Sequence, residues 1–368
     1  MKIAMVAEYI SRKNGGIFPV MCALARELER QQIDVRLFGC ADEYTIADCR
    51  ENGVAFDAAS PLWQRGIRYC PEIRRRLREF APDVIHLHGI WNYPEFVAAG
   101  LGVPYVVSPH GMVDPWALEN GRLKKRMFAM LFEHRVWLRA GALHALCASE
   151  AAAIRSFWPA ASESTVIPNG VTLPADATAC PVSDGKKELL YLGRLHPKKG
   201  AHNLIPAFLR TAPSDWRLVI AGWGRDSFVS ELRKLAAGNP AVVFAGPLFG
   251  TAKEEALRRC SAFVLPSYSE GLPMAVLEAW AYRKPALLTD FCNLPEGIET
   301  GAAFRLEPDV VALEKFLTAF FQFSPAQLAA MGERGEALVR EKFAWNHIAL
   351  TFLELYRRLS NGRGSVRA

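Results

Sequence analysis

Short β-rich apolar runs alternate with helical stretches along almost the whole chain. That alternation is the signature of parallel sheets in α/β domains. In the first half, candidate strands are Lys2–Ala7, Val35–Gly39, Val84–Leu87, Tyr105–Ser108 and Leu143–Ala148. The second half repeats the pattern at Glu188–Leu192, Arg217–Ala221, Val242–Ala245, Ala262–Pro266 and Ala286–Thr289. Helices are expected between them, among others at Phe18–Gln31, Asn203–Thr211, Phe228–Ala237 and Pro273–Tyr282. The two series are separated by Thr165-Val166-Ile167-Pro168-Asn169-Gly170-Val171, whose Pro-Asn-Gly is strong turn chemistry, and then by a polar stretch, Ala175–Lys187. A chain of 368 residues is too long for one ordinary core. Two α/β domains with parallel sheets are expected, 1–167 and 168–345, with a last helix, Trp345–Leu359 (the stretch from about 346 to 368), crossing back onto the first.

The start of the chain reads as a strand and not as a signal peptide, because Glu8 and Arg12-Lys13 interrupt any apolar run. No uninterrupted apolar run reaches the roughly 18 residues of a membrane-spanning helix. The eight cysteines form no Cys-x-x-Cys pair, which argues against a zinc ribbon and suggests reduced thiols in a cytoplasm. The net charge of +6 is unevenly spread. Arg65, Arg68, Arg74, Arg75, Arg76 and Arg78 lie among Trp63, Ile67, Tyr69, Ile73, Leu77 and Phe80; Lys124, Lys125, Arg126 and Arg135 lie among Met127, Phe128, Leu131, Trp137 and Leu138. Such segments suit an anionic membrane surface or an acidic acceptor, and equally an ordinary helix with a solvated face. No nucleic-acid-binding signature accompanies them, so a nucleic acid partner is not expected.

Four clusters fall at the ends of predicted strands, where ligands bind open α/β sheets. The most informative is Ser269-Glu270-Gly271-Leu272-Pro273-Met274-Ala275-Val276-Leu277-Glu278. Proline is tolerated in a first helical turn, which puts Glu270 in the loop before a helix and Glu278 about a turn inside it. The N–H groups between them carry the positive end of the helix dipole, a ready phosphate site. The second cluster, Gly193-Arg194-Leu195-His196-Pro197-Lys198-Lys199-Gly200, offers an Arg to fork two oxygens of a diphosphate and a Lys as point charge. The third, Asn14-Gly15-Gly16-Ile17, lets backbone approach a phosphate or sugar closely. It lacks the third glycine of a dinucleotide fingerprint, which disfavours a dehydrogenase. The fourth comprises His86-Leu87-His88-Gly89 and Ser108-Pro109-His110-Gly111-Met112. His86 and His88 would share one strand face, but no third ligand makes a metal site of them. His110, framed by Pro109 and Gly111, is the better candidate to face an open cleft.

Taken in order, Gly15-Gly16, His110-Gly111, Ile167-Pro168-Asn169-Gly170-Val171, Gly193-Arg194 with Lys199-Gly200, and Glu270 and Glu278 around Gly271-Leu272-Pro273 resemble glycosyltransferase family 4. The set spans roughly residues 8 to 300, and Pro109–Trp116 further resembles bacterial members that build cell-surface polysaccharides. The resemblance implies the GT-B fold, two Rossmann-like domains with parallel sheets facing across a cleft, the first binding acceptor and the second donor. It implies a retaining enzyme that takes a sugar from a UDP- or GDP-linked donor to a glycan or lipid-linked acceptor. Arg194 and Lys199 would bind the diphosphate, Glu278 the ribose, and Glu270 the donor sugar. Backbone at Gly15, Gly16, Gly271, Leu272 and Pro273 would complete the cradle, Leu248 would lie near the base, and His110 beside the sugar. The catalytic set implied is His110, Arg194, Lys199 and Glu270.

No Asp-x-Asp occurs in the chain, so metal independence and the lack of any cofactor beyond the nucleotide-sugar co-substrate are expected. A cytoplasmic enzyme with peripheral contact to an anionic inner membrane is the resulting expectation. The rivals are a non-catalytic nucleotide-sugar-binding protein and another GT-B enzyme such as an epimerase or phosphorylase. The first would lack one or more of His110, Arg194, Lys199, Glu270 and Glu278, and all are present.

Overall fold

Successive residues of a strand face opposite sides of its sheet, so a strand apolar throughout needs cover on both. The strand Lys2–Tyr9 is apolar and buried in this way from Ile3 to Ala7. Ile3, Met5 and Ala7 enter one core with Phe18, Met21, Leu24 and Leu28 of the helix Ile17–Arg30. Ala4 and Val6 enter the opposite core with Ile73, Leu77, Trp137 and Ile154. This computed structural model describes residues 1–63, 68–114, 118, 133–160, 163–178 and 185–362. The chain divides into two units, Met1–Gly170 with Trp345–Ala368, and Val171–Ala344.

In the first unit the strands are β1 (Lys2–Tyr9), β2 (Asp34–Cys40), β3 (Phe56–Ala59), β4 (Val84–His88), β5 (Tyr105–Ser108), β6 (Ala142–Ala145) and β7 (Ser164–Val166). All pair in parallel, in the order β3-β2-β1-β4-β5-β6-β7. The second unit holds β8 (Lys187–Leu192), β9 (Trp216–Ala221), β10 (Val242–Gly246), β11 (Ala262–Leu265), β12 (Ala286–Leu288) and β13 (Ala303–Arg305). Its sheet is also parallel, in the order β10-β9-β8-β11-β12-β13. Each order reverses direction once, between β1 and β4 and between β8 and β11. Connections after those strands leave in opposite directions and open a crevice at the carboxyl ends.

The two expected Rossmann-like sheets are therefore present, with some changes at the ends of elements. The last helix, Trp345–Asn361, packs into the first unit's core through Ile348, Phe352, Leu353 and Tyr356. The expected strand Leu143–Ala148 stops at Ala145, because Cys147 already caps the helix that Ala148 opens. Pro273 is not inside the first helical turn: its ψ of 99° makes it the extended cap of the helix Met274–Ala281. The seven described cysteines are buried, and Cys180 lies outside the described residues. Of the basic aromatic segments, residues 65–67 and 122–132 lie outside the described residues, as do Pro115 and Trp116. Among the described residues no helix is long and apolar enough to cross a membrane.

Candidate active site

In the second unit the loops following β8 and β11 meet at backbone level. Gly200 has φ 72°, and a Cβ there would stand 2.0 Å from the carbonyl oxygen of Pro266. Only glycine fits that approach. Lys198 O then accepts from Tyr268 N–H at 2.7 Å and from Ser267 Oγ at 3.1 Å, tying the two loops together. This seam sets Lys199 against Glu270, with Nζ at 2.5 and 2.6 Å from the two carboxylate oxygens. The two groups that sequence assigned to separate tasks thus neutralise each other.

Glu270 is held through its backbone as well. Its N–H donates to Phe291 O at 3.0 Å. Asn293, at φ 56°, donates from Nδ2 to Glu270 O at 2.6 Å and to Gly271 O at 3.1 Å. Sequence reasoning missed Asn293; its place just past the end of β12 is the signal that could have found it. Glu278 lies on the helix Met274–Ala281, as expected, and accepts from Lys253 Nζ at 2.7 Å. Lys253, on the helix Gly250–Arg259, was also missed, since nothing local links it to a carboxylate 25 residues away.

Arg194 is exposed, and its guanidinium has no partner among the described residues. Leu272 is buried and Leu248 half-buried. Beside Leu248, Phe249 is 66% and Trp223 51% exposed, with ring centroids 5.7 Å apart. The switch point of this sheet therefore carries an unpaired cation, a paired cation and carboxylate, and an exposed aromatic pair on the connections after β9 and β10.

The first unit gathers its own cluster at the β1/β4 switch point. Gly15, at φ 58°, and Gly16, which caps the helix Ile17–Arg30, are exposed, and a Cβ on either would meet nothing within 4 Å. Gly89, after β4, lies against Met112 and Ile17, which brings the connections after β1, β4 and β5 together. His110 turns there with φ 53°. Gly111 N–H donates to Glu150, and Leu146 N–H donates to the other oxygen of that carboxylate at 2.7 Å, so the turn is fixed from below.

His110 does not simply face a cleft. It is half-buried, its Nε2 lies 3.0 Å from His88 Nδ1, and the rings stack at an interplanar angle of 16°. His86 and His88 do share a strand face, with ring centroids 3.9 Å apart, yet they serve a hydrogen-bonded interior. The chain of contacts runs Tyr356 Oη to His86 Nδ1, His86 Nε2 to Ser108 Oγ, and Ser108 Oγ to His144 Nδ1, each 2.6 Å. It ends at His144 Nε2 on Ile167 O, 2.7 Å. A carbonyl can only accept, so His144 donates from Nε2. Every earlier proton is then fixed in turn: Ser108 donates to His144, His86 Nε2 to Ser108, and Tyr356 to His86. All four linked side chains are satisfied with neutral imidazoles. Burial, aided by the neighbouring histidines, pushes the His86 pKa well below its usual value, and burial pushes His144 down to about 4. Among the described residues no group of three or more His, Cys, Asp or Glu side chains could hold a metal ion.

The chain is similar to known proteins over most of its length. Residues 15–170 match the family described as "Glycosyl transferase 4-like domain", and residues 186–321 match "Glycosyl transferases group 1". A D-inositol 3-phosphate glycosyltransferase of Pseudarthrobacter chlorophenolicus is 30% identical over 311 residues, covering 77% of this chain and 73% of that protein. A GDP-mannose:cellobiosyl-diphosphopolyprenol alpha-mannosyltransferase of Xanthomonas oryzae is 27% identical over 380 residues, covering 97% and 96%. The crystal structure of Anabaena HepE with UDP and glucose superposes with a TM-score of 0.78 at 18% identity, covering 97% of this chain and 100% of that one. That last likeness speaks for the fold. The chain belongs to glycosyltransferase family 4 and is a glycosyltransferase of the GT-B type.

Proposed function

We propose that the protein is a retaining, metal-independent glycosyltransferase that moves a sugar from a nucleoside diphosphate sugar to a glycan or lipid-linked acceptor in cell-surface polysaccharide synthesis. The observation that carries the donor assignment is the β8/β11 switch point, which presents exposed, unpaired Arg194 beside the Lys199–Glu270 pair. A diphosphate arriving there meets a free guanidinium and competes with Glu270 for the ammonium of Lys199. Glu270, released from its partner, turns its oxygens to sugar hydroxyls. As the glycosidic bond breaks, negative charge grows on the leaving diphosphate, and preorganised cations stabilise that charge most where it develops. Each is worth about 3 kcal/mol of barrier, on the scale of a lost oxyanion donor. Glu278 takes the ribose, Gly15 and Gly16 offer backbone to the substrate, and His110 hydrogen-bonds a sugar hydroxyl. Retention follows from front-face attack, with the leaving phosphate taking the acceptor proton.

The donor is UDP- or GDP-linked, in keeping with the UDP bound by HepE and the GDP-mannose named for the Xanthomonas relative. The latter's name also specifies a diphosphopolyprenol-linked acceptor. Membrane contact is supported by exposed Leu62 and Trp63, together with Arg74 and Arg78 on the solvent side of the helix Glu72–Phe80. A thermal-shift panel of UDP, GDP, ADP and their common sugar conjugates in EDTA tests the donor site, because a bound ligand raises Tm by mass action. A rise with one nucleotide series, diminished in Glu278→Ala, is expected. No rise with any nucleotide, or a rise that needs added manganese, contradicts the proposal.

A further inference from the structure

The proton order of the buried chain through His86, Ser108 and His144 stops short of His88, whose two ring nitrogens remain to be settled. Nδ1 of His88 faces Nε2 of His110 at 3.0 Å. Nε2 of His88 is buried and has no hydrogen-bond partner among the described residues. Two neutral arrangements satisfy the short contact. In one, His110 Nε2–H donates to His88 Nδ1, and His88 must then carry its own proton on Nε2, a buried N–H with nothing to receive it. In the other, His88 Nδ1–H donates to His110 Nε2, and what stays unpaired on His88 is a bare lone pair. Buried donors without an acceptor are rarer in folded proteins than acceptors short of a donor. The second arrangement therefore prevails.

It has a consequence for His110. With Nε2 accepting from His88, a neutral His110 carries its proton on Nδ1, and among the described residues the ring's one hydrogen bond is that at Nε2. The ring plane is fixed too. His88 projects from strand β4, and its stacked ring clamps an imidazole whose backbone is already held at φ 53° by the Glu150–Gly111 contact.

We propose that His88 is the positioning residue for His110: its Nδ1–H holds the His110 ring in place and in the tautomer whose free Nδ1–H donates to an oxygen of the reacting sugar. The proposal rests on the reading that His110 meets that sugar. It makes His110 a hydrogen-bond donor and not a base, and places the choice on a residue that need not touch substrate.

Histidine-selective 15N labelling of the full-length protein tests the tautomer directly, with signals assigned by His88→Asn and His110→Asn. The expected spectrum shows His110 with a protonated Nδ1 and a bare Nε2; the reverse overturns the proposal. The positioning role is read from release of nucleoside diphosphate from UDP-glucose and from GDP-mannose. His88→Ala lowers kcat about tenfold, the scale of one hydrogen bond, with little change in KM. The same substitution made in His110→Asn costs nothing further, because the residue it serves is gone. His88→Asn, whose amide nitrogen stands near the position of Nδ1, restores most of the loss. An equal cost of His88→Ala in both backgrounds marks a merely structural residue and overturns the proposal. If His110→Asn itself leaves turnover unchanged, or neither donor is turned over, the functional reading of His110 fails, and the tautomer measurement alone decides the pair.

Discussion

Lys199 Nζ lies within 2.6 Å of both carboxylate oxygens of Glu270, across 71 residues of sequence. The Lys199 and Glu270 side chains are only 16% and 7% exposed, so neither charge can turn to water if the other is removed. Breaking a buried pair from one side leaves an uncompensated charge. Lys199→Ala is expected to destabilise the nucleotide-free protein by about 3 kcal/mol. Glu270→Gln should cost less, since its amide oxygen still accepts from the ammonium. Urea denaturation reads both, and a Lys199→Ala change under about 0.5 kcal/mol, the scale of an ordinary surface substitution, contradicts the arrangement.

Two glycines separate architecture from substrate contact. Gly200→Ala puts a methyl group 2.0 Å from the Pro266 carbonyl oxygen and is expected to destabilise by about 3 kcal/mol while spoiling nucleotide binding. Gly16→Ala meets open space, so its stability change stays near 0.5 kcal/mol. If Gly16 offers backbone to the substrate, turnover nonetheless falls. Denaturation and steady-state rates on the two variants check the split; unchanged turnover in Gly16→Ala removes Gly16 from the site.

The buried histidines make the first unit acid-labile. Burial, with His144 adding to it, pushes His110 down to about 3, and burial pushes His144 down to about 4, against about 6.5 in an unfolded chain. Between these values the unfolded state binds protons that the folded state refuses, so stability rises with pH across roughly pH 4 to 6.5. Glu95, Glu133 and Glu150, all raised by burial, oppose this slope, so the informative quantity is a difference. His110→Asn, a residue that tolerates positive φ, should flatten the slope by about 1.4 kcal/mol per pH unit in that window. Equal slopes in variant and wild type contradict a His110 that the fold keeps neutral.

Glu95 is 1% exposed, and neither of its carboxylate oxygens has a hydrogen-bond partner among the described residues. Burial, and then the neighbouring Glu133, hold its pKa well above the usual carboxylate range. A raised carboxyl contributes most below its unfolded pKa, and that contribution is lost as pH rises towards the folded value. Glu95→Gln removes the ionisation and should stabilise the protein by about 1 kcal/mol at pH 8, with a smaller effect at pH 5. Denaturation at the two pH values tests this; destabilisation at pH 8 contradicts it.

The sheets were legible because their strands are buried on both faces and so read as unbroken apolar runs, as in Ile3–Ala7. The short edge strands were not. Phe56–Ala59, Ser164–Val166 and Ala303–Arg305 are three or four residues long, and Ser164–Val166 is polar enough to pass for the turn that follows it. The site's residues were legible as types at strand ends, since Arg194, Lys199, Glu270 and Glu278 all follow β8 or β11. Their pairings were not, because Lys199 with Glu270, Lys253 with Glu278 and His86 with Tyr356 join distant parts of the chain and leave no local pattern. For the same reason the spacing of His86 and His88 placed them on one strand face but could not show the hydrogen-bonded interior they serve.

Arg194 gives the most direct test, since it is exposed and unpaired and its loss should leave the fold intact. The measurement is calorimetric titration of UDP and GDP in EDTA into wild type and Arg194→Met, whose unfolding should agree within about 0.5 kcal/mol. One of the two nucleotides should bind wild type without metal, and Arg194→Met should weaken it about thirtyfold, the scale of a charge-assisted contact. Undiminished affinity in the variant, or binding of neither nucleotide, would contradict a donor site at the β8/β11 switch point.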